Sequence, residues 1–205
     1  MPNTRQRWLD LWRRVNAKGE SISVYSRIAA KYSTEGRYYH NIDHIKYCLE
    51  ELDNVRDIVV DKDEVEMAIF LHDVVYDTGA KDNEEKSAQF ARELLTKMGI
   101  ENYFIRRVCK HILSTKHDKP TDDADSQIIM DIDFSYLGFI PEAFDECRRN
   151  IRKEYGWVGE EEFNKHTALF FQQFLDRPSI YSTEHFRKKY ENLARENLTR
   201  LIEKK

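Results

Sequence analysis

Apolar residues recur at intervals of three and four along almost the whole chain, and no long stretch alternates with a period of two. The first spacing places side chains on one face of an α-helix, whereas a period of two is typical of a half-buried strand. Only 7 of the 205 residues are Gly and 4 are Pro, which is too few for a fold built from many strands and turns. The chain is therefore predicted to be all-α.

About nine helices are expected, and several have recognisable ends. Asp63 and Glu66 form a D-x-x-E capping pair before a helix that runs through His72. Gly99 follows the helix that starts at Glu84, and Pro141 suits the first turn of another helix. The remaining predicted helices lie near residues 8–15, 45–55, 105–112, 126–138, 163–174 and 183–203. Without repeats or a linker, 205 residues are expected to form a single domain.

Charge and cysteine content exclude several classes of protein. The chain has 33 Lys and Arg against 37 Asp and Glu, so its formal net charge of −4 does not favour stable nucleic-acid binding. The three cysteines are far apart and contain no CxxC pair, which predicts reduced thiols and a cytoplasmic protein. No apolar run reaches the roughly 18 residues that a membrane span needs. No membrane partner is expected, and a homodimer is left open.

His72 and Asp73 lie within an apolar stretch, MAIFLHDVVYD, and are predicted to be inside a buried helix. A buried carboxylate costs several kcal/mol unless it is paired, and a divalent cation would bind both side chains. The alternatives are a His–Asp hydrogen bond and a helix cap. A second His-Asp pair, His117-Asp118, lies in a polar loop where nothing forces the carboxylate to be buried.

Two further segments contain candidate ligands. His40 and His44 are four residues apart, which on a helix places them on one face, where both chelate one metal or one of them acts as a free acid. A cap over the core, made with Tyr38 and Tyr39, is the alternative. Asp131 and Asp133 interrupt an apolar helix, so we expect one to bind a metal and the other to brace a neighbour, unless both cap the helix N-terminus.

These segments together resemble the HD-domain superfamily of metal-dependent phosphohydrolases, which are all-α. The segment RYYHNIDHI is similar to the YHNxxH motif of the HD-fold cyclic-nucleotide phosphodiesterases, and IIMDIDFSYLG to the DADxxxxLG stretch of small bacterial HD proteins. The chain also resembles a poorly characterised bacterial branch, described as predicted HD phosphohydrolases, in the segments HDVVYD, DNEEKSA, RKEY, FLDRPSIY and ARENL. The resemblance covers nearly the whole chain and implies a single HD-type domain, with a metal core at about residues 20–140 and the helices of 141–205 packed on it.

The resemblance also implies roles for individual residues. It assigns His44, His72, Asp73 and Asp133 as metal ligands, with Asp131 in place of Asp133 if the alignment shifts. His40 corresponds to the histidine that donates a proton to the leaving group, so His40 and Asp73 are the expected catalytic residues. The stretch after the doublet, VVYDTGA, lacks the His-Pro-Gly pattern of the phosphodiesterases. The likeness therefore does not extend to their two-metal site or their cyclic-nucleotide specificity.

Two imidazoles and two carboxylates suit a divalent transition metal, Mn, Fe, Co, Ni or Zn, with Mg as an alternative. The expected activity is hydrolysis of a nucleotide or another small phosphoester. Cationic and polar side chains near the motifs are candidates for binding the substrate or a water molecule, although each also suits an ordinary surface or capping role. They are Arg37, Lys81, Lys86, Asn83, Glu84 and His117. His111 and His117 would be further metal ligands only if both faced the site, and His117 alone is expected to contact it.

Aromatic residues are abundant after Pro141, and they are expected to pack on the metal core. A sharper alternative is that Arg177, Arg152, Tyr155 or Tyr181 also closes the site, since an Arg can hold a phosphate by two parallel hydrogen bonds. Two other functions remain open from the sequence. One is a dinuclear iron oxygenase on the same fold, and the other is a catalytically silent ligand-binding module.

Overall fold

A computed structural model describes residues 3–203. Within them the chain forms ten α-helices, one 3₁₀ helix and no strand, so the all-α prediction is confirmed. The helices are α1 Thr4–Arg14, α2 Ser21–Tyr32, α3 Ile42–Asn54, α4 Lys62–Leu71, α5 Asn83–Lys97, α6 Asn102–Ser114, α7 Ala124–Asp133, α8 Pro141–Glu154, α9 Glu160–Leu175 and α10 Glu184–Glu203, and the 3₁₀ helix is Phe134–Gly138.

Helix α2 is the element that the sequence analysis missed, which is why about nine helices were expected instead of ten. Its buried residues, Val24, Ile28 and Tyr32, follow one another at intervals of four. This spacing is a sufficient helix signal, although the apolar face is narrow and no side chain caps the N-terminus.

The chain divides into two compact units, of which the first ends at Met130 and the second begins at Asp131. In the first unit, α4 packs against α1, α3, α5 and α6. Every residue of α4 from Glu64 to Leu71 is buried, as expected for a helix that has neighbours all round. Helix α4 is therefore the central element of this unit, and its C-terminal end leads into the His72-Asp73 pair.

The start of α4 differs from the prediction. Asp61 is the N-cap, and its side chain accepts hydrogen bonds from the amides of Asp63 and Glu64. Glu66 does not reach back to cap the helix, because its carboxylate pairs with Arg7 at 2.8 Å and with Arg14 at 2.7 Å. The expected Asp63–Glu66 capping pair is thus wrong, and the two acids serve ion pairs with helix α1.

The C-cap of α5 matches the prediction. Gly99 has a φ of +71°, a conformation that favours glycine, and the amide of Ile100 bonds back to the carbonyl of Leu95. This arrangement ends the helix at Lys97, with Met98 as the C-cap residue.

In the second unit, the 3₁₀ helix packs on α10, and α9 packs beside α10. Gly138 lies so close to α10 that an added Cβ would come within 2.5 Å of the Cβ of Tyr190. The side-chain amide of Asn197 donates to the carbonyls of Leu137 and Phe139 and fixes the same contact. The core of this unit is largely aromatic, with Phe144, Phe163, Phe171, Phe174, Tyr181, Phe186 and Tyr190 buried.

Among residues 3–203, no helix combines the length and the apolar character required to cross a membrane.

Candidate functional site

His72 lies at the C-terminal end of α4, where it is the C-cap residue, and Asp73 follows it. The expectation that both lie inside a helix is therefore wrong, although both are buried. The Nδ1 atom of His72 is 2.9 Å from the carbonyl oxygen of Ile69, one turn earlier in α4. Since a carbonyl only accepts, this contact favours the tautomer with hydrogen on Nδ1, which leaves a lone pair on Nε2.

His44 is brought to the same place by the first turn of α3. Asn41 is the N-cap of that helix, and its side chain accepts from the amides of Asp43 and His44. His44 is consequently fixed close to the helix start, and its side chain is buried.

Three ligand-type atoms of the first unit converge at these helix ends. Nε2 of His44 is 3.3 Å from Nε2 of His72 and 4.0 Å from Oδ2 of Asp73, and Nε2 of His72 is 3.2 Å from the same oxygen. Atoms that bind one metal at about 2.0–2.2 Å are necessarily separated by roughly 3–4 Å. The donor set of His44, His72 and Asp73 therefore fits a divalent metal ion.

His40 lies beside this group but not on the predicted helix face, because α3 begins only at Ile42. Its ring stacks on Tyr76, with centroids 4.1 Å apart and planes 26° apart, and its centroid is 5.9 Å from that of His44. Tyr39 also contacts both rings, whereas Tyr38 is exposed. His40 is half-buried.

Arg37 contacts the peptide backbone on both sides of the site. Its guanidinium donates to the carbonyl oxygens of His40 at 3.0 Å, Asp73 at 2.7 Å and Val74 at 3.4 Å. It also lies over the rings of Tyr32 and Tyr76. These bonds use several of the donors that phosphate binding would need, and they hold the His40 segment against the Asp73 segment.

The predicted residues at the start of α5 have separate roles. Asn83 bonds the amide and the carbonyl of Asp77 through its side chain, which stabilises the loop. Lys86 pairs with Asp82 at 2.7 Å, and Lys81 lies exposed in the same loop. Glu84 is half-buried, and its pKa is raised mainly by burial, with a smaller contribution from the negative charge of Asp73. The charge of Glu84 therefore interacts with that of Asp73, one of the candidate ligands.

His117 and His111 lie at the end of α6 and differ in their surroundings. His117 is buried and has a φ of +56°, a conformation that costs a non-glycine residue about 1–3 kcal/mol. Its predicted role in holding phosphate stays a prediction. His111 is fully buried within α6, and its Nδ1 is 2.9 Å from the hydroxyl of Ser126. Burial, followed by the charge of Arg107, lowers the pKa of His111 to about 4.

Asp131 and Asp133 lie at the C-terminal end of α7, which excludes the alternative that they cap its N-terminus. The Asp131 carboxylate accepts hydrogen bonds from the amides of Ser182 and Thr183 and from the Thr183 hydroxyl, so it anchors the segment just before α10. Burial nevertheless raises the pKa of Asp131 to about 6. Asp131 thus has a structural role inside the second unit, and Asp133 as a ligand stays a prediction.

Arg177 also belongs to the second unit. Its guanidinium lies 4.2 Å from the centre of the Phe174 ring, and its carbonyl accepts from Arg195. Tyr181 is buried and donates to the carbonyl of Phe134, and Arg152 donates to the carbonyls of Tyr155 and Val158. Each of these contacts suits packing within the unit, and the predicted substrate contacts stay predictions.

The sequence analysis missed a second group that could hold a metal ion, namely Glu64, His111 and Asp125. Their ligand atoms lie within 4.8 Å of one another, and all three residues are buried. No local motif marks this group, since its members come from three different helices. The available signal was the presence of acids at otherwise buried helix positions.

Comparison with protein-family models, with curated proteins and with solved structures finds no match for this chain.

Proposed function

We propose that the protein is a metal-dependent phosphohydrolase that acts on a nucleotide or another small phosphoester. The convergence of His44, His72 and Asp73 carries this proposal, together with the order of motifs that resembles the HD superfamily. The contact of His72 Nδ1 with the Ile69 carbonyl supports it further, because metal-binding histidines typically donate their second ring N–H to such a group.

Asp133 completes the proposed ligand set through the sequence resemblance. The three hydrogen bonds on Asp131 favour Asp133 over Asp131, since the Asp131 carboxylate already has partners in its own unit. A divalent transition metal held by these ligands would supply Lewis-acid activation of a phosphoryl group and of the attacking water.

The remaining steps depend on side chains around the ligands. His40 is suited to protonate the leaving oxygen, because it is half-buried beside His44 and imidazole titrates near neutral pH. Its stacking on Tyr76 restrains the ring. Arg37 acts as a positioning residue, because it joins the backbone of His40 to that of Asp73. Glu84 is suited to orient a water molecule near Asp73.

The most direct test is a panel of nucleotides and small phosphoesters assayed with the full chain and Mn²⁺, Co²⁺, Ni²⁺, Zn²⁺ or Mg²⁺. We expect release of phosphate or of a nucleoside product with at least one metal and none in the presence of a chelator. The matched control is the His72→Ala variant, which lacks a ligand at the end of α4.

Activity that persists unchanged in His72→Ala would contradict the proposal. So would a purified chain that holds two irons and consumes oxygen without cleaving any phosphoester, since that result would favour the oxygenase alternative.

A further inference from the structure

The second group of candidate ligands, Glu64, His111 and Asp125, lies entirely within the first unit. Glu64 is in the first turn of α4, His111 in the last turn of α6 and Asp125 in the first turn of α7. The residues are 3%, 0% and 1% exposed, respectively, so the group is closed to solvent. It is separate from the His44–His72–Asp73 group, because Glu64 and His72 lie at opposite ends of α4.

The Nε2 atom of His111 is the strongest indication of a ligand. It is buried and has no hydrogen-bond partner among residues 3–203, whereas Nδ1 of the same ring contacts the Ser126 hydroxyl. The nearest carboxylate oxygen, Oε2 of Glu64, is 3.6 Å away, which is too far for a hydrogen bond. A buried polar atom without a partner costs about 1–3 kcal/mol, and a metal ion between these two atoms would remove that cost.

Both carboxylates can accept a further bond. The two oxygens of Asp125 receive the amides of Val60 and Asp61 at 2.8 and 2.9 Å, which orients the group and leaves each oxygen a second lone pair. Oε2 of Glu64 accepts from Arg107 at 2.9 Å, and Oε1 accepts no hydrogen bond from the described residues. The cluster is therefore oriented by its neighbours but not saturated.

The local charge also leaves room for a cation. Three carboxylates, those of Glu64, Asp123 and Asp125, gather here, and Arg107 pairs with the first two of them. The other cation, Lys110, is half-exposed and pairs with Asp123. Within the part of the chain that the structure describes, Asp125 has no ion pair. A buried negative charge of this kind is stabilised by a positive partner.

We propose that Glu64, His111 and Asp125 bind a divalent transition metal ion of the zinc type, which joins the N-terminal turns of α4 and α7 to α6. Imidazole nitrogen and carboxylate oxygen are both ligands that bind Zn²⁺ in proteins. Because the group is closed, the ion would stabilise the first unit and would not contact substrate.

The test uses the full chain with His72→Ala and Asp73→Ala together, which removes two of the three candidate ligands of the other group and leaves only His44. The protein is stripped with a chelator and titrated with Zn²⁺, and bound zinc is counted by elemental analysis after gel filtration. We expect about one zinc per chain and a rise in Tm on zinc addition. Adding His111→Gln should lower zinc affinity by more than about 100-fold and remove the rise in Tm, whereas the exposed His166→Gln should change neither.

Glu64→Gln provides a second variant if His111→Gln does not fold, since it removes only a charge and should also abolish zinc binding. Two results would overturn the inference. One is a folded chain with His72→Ala and Asp73→Ala that binds no zinc. If the wild-type chain still binds one metal ion, that result contradicts this inference but not the proposed function. The other is undiminished zinc binding in both His111→Gln and Glu64→Gln.

Discussion

The first unit contains two groups of candidate metal ligands, both built from imidazole and carboxylate side chains but in different surroundings. In the group at the end of α4, the Asp73 side chain is 12% exposed, and half-buried His40 and Tyr76 lie next to it. In the group at the start of α4, the side chains of His111 and Glu64 are 0% and 4% exposed, respectively. The first group is therefore the more accessible of the two. This difference in access is the reason that we propose a reactive role for the first group and a structural role for the second.

Each group has an arginine beside it, and the two arginines bind different kinds of partner. Arg37 donates to main-chain carbonyls near Asp73, and it forms no ion pair with a carboxylate among residues 3–203. Arg107 instead pairs directly with Glu64 and Asp123, and this raises its own pKa, chiefly through its hydrogen bond to Asp123. The first arrangement positions backbone around a site, whereas the second neutralises buried charge.

The largest effect is expected from Asp73→Ala. Losing a direct ligand should reduce phosphohydrolase activity by more than the 10–100-fold that loss of an outer hydrogen-bonding partner typically causes, and metal content should fall by about one ion per chain. Activity assays and elemental analysis measure both. The matched control is Asp118→Ala, at the exposed aspartate of the second His-Asp pair, which should leave both unchanged. If Asp73→Ala retains its full metal content, Asp73 is not a metal ligand and the prediction is wrong.

His40→Asn should retain the metal and lower turnover by about 10²–10⁴-fold, the usual contribution of a general acid. A nitrophenyl ester should be affected less, because its leaving group needs little protonation. Turnover numbers on the two substrate types, with metal content measured in parallel, provide the comparison. Loss of metal in this variant would reassign His40 as a ligand.

Arg107→Met should destabilise the chain by about 3 kcal/mol, since removing one partner of a buried ion pair leaves a charge without compensation. Urea unfolding measures the change, and the exposed Arg106→Met is the control. If the second group binds zinc, added Zn²⁺ should stabilise Arg107→Met more than it stabilises the wild-type chain. Equal zinc effects on both proteins would argue against a cation in this group.

The smallest effect concerns pH in the metal-free chain. Burial lowers the pKa of His111 from its ordinary value of 6.5 to about 4 in the folded chain. Between these two pH values the unfolded chain therefore binds more protons than the folded chain. Stability should therefore fall as pH is lowered from about 6.5 to 4, by no more than about 3 kcal/mol at roughly 1.4 kcal/mol per pKa unit. Urea unfolding with a chelator should show this loss in the wild-type chain and much less of it in His111→Gln. The same pH dependence in both proteins would assign it to other groups.

Local sequence signals were sufficient for most of the fold. The three-and-four spacing predicted an all-α chain, and Gly99 and Pro141 marked helix ends where the structure has them. The same signals gave a wrong prediction where two neighbouring residues could each begin a helix. Asn41 caps α3 and so excludes His40 from the helix, and Asp61 takes the capping role that was expected of Asp63.

By itself, the sequence determined the helical periodicity and the neighbours His72 and Asp73, because both depend on residues close together in the chain. Only the tertiary structure decided which distant residues meet. His44 approaches His72 because two helix ends converge, and Glu64, His111 and Asp125 meet because three helices pack together. Packing also decides which buried groups find partners. It gives the Asp131 carboxylate its bonds to the segment before α10 and leaves His111 Nε2 without a hydrogen bond among the described residues. No spacing along the chain encodes such contacts.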